Sequence, residues 1–216
     1  MLTREQFLPH EMRIVAALRM QGASDEQVIV RVKSENLFQY PTERMVANRA
    51  TVCLRRLDAM VPTDAVCAAR GIDPKTAVEA ASSLTRLMAS GTPTQADQAI
   101  FYSMICRYDI VRELVLIEVG ERLQNFDYAF TAVDLNAFMT RFTTEYPDAA
   151  RWTEATVKRI KGSLRQTLRH AGLIGEGLGP ETERLSPLFL DSDVERALVQ
   201  LGEQPLIAAL TGRAVM

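Results

Sequence analysis

Cysteine and histidine are scarce in this sequence of 216 residues, which holds three cysteines and two histidines. Cys53, Cys67 and Cys106 are far apart, odd in number and surrounded by apolar neighbours. They are therefore predicted to be buried free thiols rather than a disulfide framework or a zinc site. Neither His10 nor His170 has a ligand-type partner at metal-binding spacing. We expect no metal centre and no cofactor.

The common catalytic signatures are also missing. The glycines at 175, 177 and 179 lack the preceding strand, the following helix and the lysine of a phosphate-binding loop. No serine lies in a Gly-x-Ser-x-Gly turn. Asp191 and Asp193 form an acidic pair, but no third ligand converges on them, so they are interpreted as residues at a helix start. The sequence favours a binding protein without a small-molecule substrate over an enzyme.

Long hydrophobic runs are absent. The most apolar stretch, Ile110 to Val119, is interrupted by Arg112, Glu113 and Glu118, so it is not predicted to span a bilayer. The first residues lead directly into an amphipathic pattern without the apolar segment of a signal peptide. With 47% hydrophobic and 24% charged residues, the composition is that of a globular protein. The sequence predicts a soluble, cytoplasmic protein that does not contact membranes.

Apolar residues recur at intervals of three and four along nearly the whole chain, which predicts an all-α fold. We divide it into three sections: an N-terminal helix-turn-helix-like bundle (1–60), a central helical core (61–131) and a C-terminal winged-helix-like region (132–216). In the first section, Ser24 and Gln27 form a capping-box pattern, and Thr42 is the predicted N-cap of a third helix. In the second, Asp73-Pro74 predicts a helix start.

The third section has the order of a winged helix-turn-helix. Asp134 is the predicted cap of one helix, and Thr153 begins another that ends at Ala171-Gly172. Two apolar strips, 173–174 and 185–190, then flank a glycine-rich loop. The loop is acidic, with Glu176, Glu181 and Glu183 against Arg184. Such a wing is expected to be a poor second contact for phosphate.

Charge is distributed unevenly along the chain. The formal net charge is −2, yet residues 151–170 hold six basic residues and one acidic residue, a net +5. Four cations follow the spacing of the apolar residues on the predicted helix 153–171, so they form a stripe beside its apolar face. Such a stripe is suited to DNA phosphates, whose neutralisation releases counterions. The candidate DNA contacts are Thr153, Thr156, Lys158, Arg159, Lys161, Arg165 and Arg169.

A second candidate DNA contact lies in the first section, on the predicted third helix. It consists of Arg44, Asn48, Arg55 and Arg56, because asparagine reads adenine and arginine reads guanine or phosphate. Residues 1–60 carry a net charge of only +2. Both clusters have an alternative interpretation as solvated surface whose cations pair with the protein's own carboxylates.

Several segments resemble the BrxA family of bacterial BREX phage-defence systems. In the centre these are Leu87-Met88-Ala89-Ser90-Gly91, Gln98 to Tyr102 and Tyr108 to Leu114. The more distinctive likeness is Trp152-Thr153-Glu154-Ala155-Thr156-Val157-Lys158-Arg159 with Leu168 to Ile174, and the neighbourhood of Arg56-Leu57 also fits.

The resemblance implies an all-helical protein related in its centre to the antitermination factor NusB. It implies double-stranded DNA as the ligand, other BREX proteins as partners and no catalytic residues. The DNA contacts that it carries over are Thr153, Thr156, Lys158, Arg159, Lys161 and Arg165. Two alternatives stay open: a NusB-like module that binds RNA, and an adaptor whose basic face meets an acidic protein.

Overall fold

The computed structural model describes residues 6–179 and 182–213, apart from the side chains of 176–179 and 182. These residues form twelve α-helices and three β-strands, which confirms the predicted all-α fold and adds a small sheet. The helices are α1 Pro9–Met20, α2 Asp25–Ser34, α3 Glu43–Ala59, α4 Asp64–Arg70, α5 Pro74–Ser90, α6 Pro93–Arg107, α7 Asp109–Glu113, α8 Gly120–Gln124, α9 Ala132–Glu145, α10 Glu154–His170, α11 Ser192–Gln200 and α12 Gln204–Thr211. The strands are β1 Ala129–Thr131, β2 Ile174–Gly179 and β3 Thr182–Leu185. Across the described ranges, no helix combines the length and the apolar character needed to cross a bilayer.

The chain forms two compact units, each built from separate stretches of sequence. We call one the helical unit, residues 8–107 and 190–203, and the other the sheet unit, residues 1–7, 108–189 and 204–216. Their bounds differ from the three consecutive sections described above, because the chain leaves the sheet unit for α11 and returns to it for α12. The assignment of separate roles to the three sections stays a prediction.

The helical unit contains α1 to α6 and α11, with α5 at its centre in contact with α1, α6 and α11. The predicted helix starts are confirmed. The Ser24 side chain accepts a bond from the backbone of Gln27, whose side chain accepts one from the backbone of Ser24. Thr42 caps α3, and Asp73 caps α5 ahead of Pro74. Local polar groups therefore determine where these helices begin.

A buried polar cluster joins the end of α11 to the rest of the helical unit. The side chain of Glu203 is 2% exposed, and its Oε1 lies 2.9 Å from Nη1 of Arg70. The hydroxyl of Tyr102 donates to the same carboxylate over 3.3 Å. Burial, with negative charge and bonding from neighbouring groups, raises the pKa of Tyr102 well above its ordinary value. The hydroxyl is therefore neutral and able to donate at pH 7.

A second buried polar pair lies in the same unit. The hydroxyl of Tyr40 donates to the carboxyl group of Glu11, which is only 7% exposed. Burial, followed by the bond to Glu11, raises the pKa of Tyr40 to about 12. The tyrosine thus remains protonated and satisfies a carboxylate that has little access to water.

The thiols differ in their burial. Cys53 and Cys67 are buried, as predicted. Cys106 is only half-buried, so the prediction of full burial was wrong for this residue. None of these three described residues forms a disulfide.

The sheet unit contains α7 to α10, α12 and an antiparallel sheet with the strand order β1-β3-β2. In its centre β3 pairs with β1 through Phe130 and Glu183, and with β2 through Ile174 and Leu185. Phe130, Ile174 and Leu185 are buried, so the sheet rests on the core of this unit. Of the predicted apolar strips, only Ile174 and Leu185 lie in paired strands, because residues 186–190 follow β3 without regular structure and the glycine-containing segment 175–179 is itself part of β2. Residues 180–181, including Glu181, lie outside the described residues.

Helix α12 packs closely on the middle of the sheet unit. A π-helical turn, Leu114–Val119, connects α7 to α8 and contacts α12. A Cβ atom built on Gly120 would lie 2.8 Å from Cβ of Ala209, so glycine is needed for this approach. The backbone N–H of Leu188, just after β3, donates to the carbonyl of Leu210 over 2.8 Å. These contacts join α12 to both the helices and the sheet of its unit.

Candidate nucleic-acid interface

Helix α9 begins at a fixed point because of a capping box. Thr131 is the N-cap, and its backbone N–H donates to Oδ2 of Asp134 over 2.7 Å. Oδ1 of the same carboxylate accepts from Nη2 of Arg122 over 2.6 Å. The prediction that Asp134 itself caps the helix was wrong by three residues, because Asp134 is the partner within the box. Burial acts to raise the pKa of Asp134, but the bonds from Thr131 and the charge of Arg122 outweigh it and lower the pKa.

Substitution of Asp134 with alanine is expected to destabilise the protein by about 1–2 kcal/mol at pH 7, because it removes half of the capping box. The folded-state pKa is below the unfolded value, so this stabilisation is complete above the unfolded pKa of about 4 and is lost as the pH falls through the folded value. Urea unfolding at pH 7 and at pH 3 measures both effects. The control is Asp148→Ala, an exposed carboxylate that makes no capping bond. An Asp134→Ala penalty that is equal at both pH values would contradict this account.

The connection between α9 and α10 is short and aromatic. It contains a 3₁₀ turn, Ala149–Arg151, with Ala149 buried. Phe142 in α9 stacks on Tyr146 with a centroid distance of 4.2 Å and on Trp152 with a centroid distance of 6.0 Å. These contacts hold the chain at the entry to α10.

Helix α10 has the bounds that the sequence predicts. The hydroxyl of Thr153 accepts from the backbone of Thr156 over 3.2 Å, which confirms the predicted N-cap. The helix ends at His170, before Gly172 adopts a positive φ of 79°. Ile160, Leu164 and Leu168 are buried and anchor the apolar face. Val157 and Ala171, also predicted on that face, are half-buried at its two ends.

The first half of α10 presents three cations. Lys158 and Arg159 are exposed and form no ion pair with any residue that the structure describes. Lys161 is half-buried, and its Nζ donates to Oδ1 of Asn136 in α9 over 2.7 Å. Because an amide oxygen carries no charge, this bond positions Lys161 without neutralising it.

The positive charge in the second half of α10 is partly neutralised by a carboxylate of the protein itself. Arg169 pairs with Oε1 of Glu183, and Nε of Arg165 lies 3.3 Å from Oε2 of the same residue. The Glu183 side chain is 11% exposed, whereas that of Arg169 is 62% exposed. The basic residues therefore extend along the whole of α10, but the positive charge of those in its second half is partly neutralised by Glu183.

The sequence did not reveal the role of Glu183, which was grouped with an acidic wing tip. In the structure Glu183 lies in β3, the central strand, and is buried against α10. The exposed Arg184 beside it lies over the ring of Tyr128, 5.7 Å from the centroid. The alternation of side chains along β3 was the one signal that could have separated Glu183 from Arg184.

A groove of about 500 Å³ runs beside the first turns of α10. The residues that line it are Trp152, Glu154, Val157, Lys158 and Lys161. It thus combines an aromatic and an aliphatic wall with two ammonium groups and one carboxylate. Within the described ranges, no three His, Cys, Asp or Glu side chains are grouped as metal ligands.

The second predicted contact is only partly at the surface. Three of its residues are exposed on α3, namely Arg44, Asn48 and Arg55. They share one face of the helix, because Asn48 lies four residues and Arg55 eleven residues after Arg44. Arg56, in contrast, is 0% exposed. The prediction that Arg56 contacts DNA was therefore wrong, because this residue lies on the same side of α3 as the buried Cys53 and Leu57.

Comparison with known proteins finds similarity both to a curated protein and to solved structures. The BREX protein BrxA of Escherichia coli O9:H4 (strain HS) is 21% identical over 127 residues, which are 59% of this chain and 58% of that protein. The match thus spans less than two thirds of the curated relative. The crystal structure of an uncharacterized protein from Magnetospirillum magneticum superimposes with a TM-score of 0.74 at 17% identity, covering 98% of this chain and 97% of that one. This second likeness shows a shared fold.

A family model also matches most of the chain. Residues 1–202 match the model of BrxA, so the match includes every candidate DNA contact named above. The chain belongs to the BrxA family.

Proposed function

We propose that this protein is a non-enzymatic, cytoplasmic component of a BREX phage-defence system and that it binds duplex DNA through α10. The BREX role rests on membership of the BrxA family and on the name of the curated relative. DNA binding rests on the surface of the sheet unit. Other BREX proteins are the proposed protein partners.

The order of elements in the sheet unit supports a winged helix-turn-helix. The order α7–α8, β1, α9, α10, β2, β3 places two helices, joined by the eight-residue connection 146–153, ahead of a hairpin. In helix-turn-helix proteins the second helix enters the major groove, with its first residues at the base edges. By this comparison α10 is the recognition helix, and Thr153, Thr156 and Lys158 lie at the end that meets the bases.

The observation that carries the proposal is the absence of neutralising partners, among the described residues, for the cations in the first half of α10. Lys158 and Arg159 face solvent, and Lys161 is held by a neutral amide. An exposed cation that is not already paired gains most from a phosphate, because each neutralised phosphate releases condensed counterion. Arg165 and Arg169 share one carboxylate, so together they still contribute a net positive charge.

Fluorescence anisotropy with a labelled duplex of about two helical turns tests the proposal. With three to five phosphate contacts, the logarithm of the association constant is expected to fall against the logarithm of salt concentration with a slope of about −3 to −5. Because phosphate contacts carry no sequence information, unrelated duplexes are expected to bind about equally. Competition with single-stranded RNA separates DNA binding from the RNA alternative. Absence of duplex binding at low salt, together with co-purification of BREX proteins from nuclease-treated lysate, would support an adaptor instead.

Glu183→Gln is expected to raise the affinity for duplex DNA several-fold and to steepen the salt dependence by about one unit. The reason is that the carboxylate and a DNA phosphate compete for the guanidinium groups of Arg165 and Arg169. Anisotropy titrations of wild type and variant at matched salt measure the change.

The matched control for this variant is Glu121→Gln, which removes one negative charge from an exposed carboxylate of α8 in the same unit. It is expected to change the affinity by less than about two-fold, because a charge that pairs with no cation of α10 among the described residues is largely screened by salt. A loss of affinity in Glu183→Gln would show that the carboxylate positions the two arginines rather than competing for them.

A further inference from the structure

The groove beside α10 is too apolar for a plain phosphate contact. Of its lining residues, Trp152 and Val157 offer an aromatic and an aliphatic surface, and Lys158 and Lys161 offer ammonium groups. At about 500 Å³ its volume lies in the range of small-molecule sites, about 300–1,000 Å³. An occupant that matches these walls needs a flat apolar part and a negative part close to one another.

The Trp152 ring is held in place from one side. It stacks on Phe142 with an interplanar angle of 23°, and Phe142 in turn stacks on Tyr146 with an angle of 15°. The indole is only half-buried, because part of its surface lines the groove. A fixed, partly open aromatic ring is the usual platform for stacking an unpaired base.

The charges in the groove have an order along α10. Glu154 lies in the first turn beside Trp152, and Lys158 and Lys161 follow about 6 and 10 Å farther along the helix axis at 1.5 Å per residue. A carboxylate accepts from the amino group of a base and repels phosphate, whereas the lysines attract phosphate. The end of the groove at Trp152 therefore matches a nucleobase, and the end at Lys158 and Lys161 matches the phosphate backbone of DNA.

We infer that this groove binds one unstacked nucleobase of the DNA, with the base against Trp152 and the adjacent phosphate at Lys158 and Lys161. The inference rests on the proposed function and deepens it, because it specifies DNA with an unpaired base as the preferred ligand. Base–aromatic stacking is strong enough to make this preference about ten-fold over fully paired DNA.

The test compares a paired duplex with the same duplex carrying one bulged adenine. Wild-type protein is expected to bind the bulged DNA about ten-fold more tightly, with quenching of Trp152, the only tryptophan of the chain. In Trp152→Leu the ratio of the two affinities is expected to fall to about one, whereas Trp152→Phe is expected to keep most of the preference because it retains a ring. Circular dichroism and melting temperature show whether each variant is folded.

Equal affinity of the wild-type protein for the two DNAs would overturn the inference, and so would a preference that persists in folded Trp152→Leu. If the leucine variant does not fold, the wild-type quenching decides: bulged DNA must quench Trp152 more than paired DNA does. If neither DNA binds, the proposed function fails by itself, and the groove is then tested with adenosine monophosphate against inorganic phosphate. Saturable quenching by the nucleotide alone supports the inference, and its absence overturns it.

Discussion

Simultaneous substitution of Lys158, Arg159 and Lys161 with glutamate is expected to weaken binding to duplex DNA by more than about 100-fold at moderate salt. Each charge-assisted contact contributes about 1.5–3 kcal/mol, and each reversal adds repulsion from the phosphates. The slope of the salt dependence is expected to become shallower by about three units, one for each lost phosphate contact. Fold loss is not expected, because these residues lie outside the buried face of α10.

The matched control reverses three cations in the helical unit: Lys75, Arg86 and Arg196. This variant has the same net charge as the first, and its substituted residues are exposed. It is expected to change the affinity by only a few-fold, because it leaves α10 unchanged and salt screens the general effect of net charge. If both variants lost affinity equally, binding would depend on net charge and the assignment to α10 would be contradicted.

Glu203→Ala is expected to lower the free energy of unfolding by about 3 kcal/mol, the largest effect on stability among these variants. The change leaves the guanidinium of Arg70, whose side chain is only 24% exposed, without its buried counter-charge. It also removes the acceptor of the Tyr102 hydroxyl. Breaking a buried pair by removing one partner typically costs about 3–5 kcal/mol, and the partial exposure of Arg70 places this case at the lower end. Urea unfolding at pH 7 measures it.

The comparison for this variant is Arg196→Ala, in the same stretch of chain. Arg196 pairs with Asp193 at the surface, where the two side chains are 66% and 49% exposed. Its loss is expected to cost less than about 1 kcal/mol, as is usual for exposed pairs. Glu203→Gln should recover part of the stability, because an amide oxygen still accepts from Tyr102. Equal penalties for Glu203→Ala and Arg196→Ala would show that burial of the cluster contributes nothing.

The sequence predicted most of the helix limits because they depend on local chemistry. Thr153 and Gly172 bound α10 through a side-chain cap and a residue that tolerates positive φ, and both signals lie within a few residues of the helix end they determine. The apolar spacing of Ile160, Leu164 and Leu168 likewise predicted the buried face.

What the sequence did not predict depends on distant parts of the chain. Strand β1 has three residues, too few to show an alternating pattern, and it exists only because β3 pairs with it. Glu183 meets Arg165 and Arg169 across 18 and 14 positions of sequence. The positions of charged residues along the sequence do not show which cations and carboxylates face each other, so this contact was not predicted.

The prediction for Arg56 was wrong for a related reason. A charged residue on a helix is ordinarily assigned to the surface, and only the packing around α3 shows that this one is enclosed. The adjacent Arg55, with the same chemistry, is exposed and stays a predicted second DNA contact. Arg55→Glu together with Arg44→Glu would test that contact by the anisotropy assay.

The close approach of Gly120 to Ala209 limits how the protein can be dissected. The strands and helices of the sheet unit that are proposed to contact DNA are consecutive in sequence, so a fragment of residues 108–189 would contain all of them. Such a fragment would lack α12, so it would expose the apolar seam where Ala209 packs and leave the carbonyl partner of Leu188 missing. Tests of the proposed DNA binding therefore require a polypeptide that includes α12, with any affinity tag placed so that it does not disturb Gln204–Thr211.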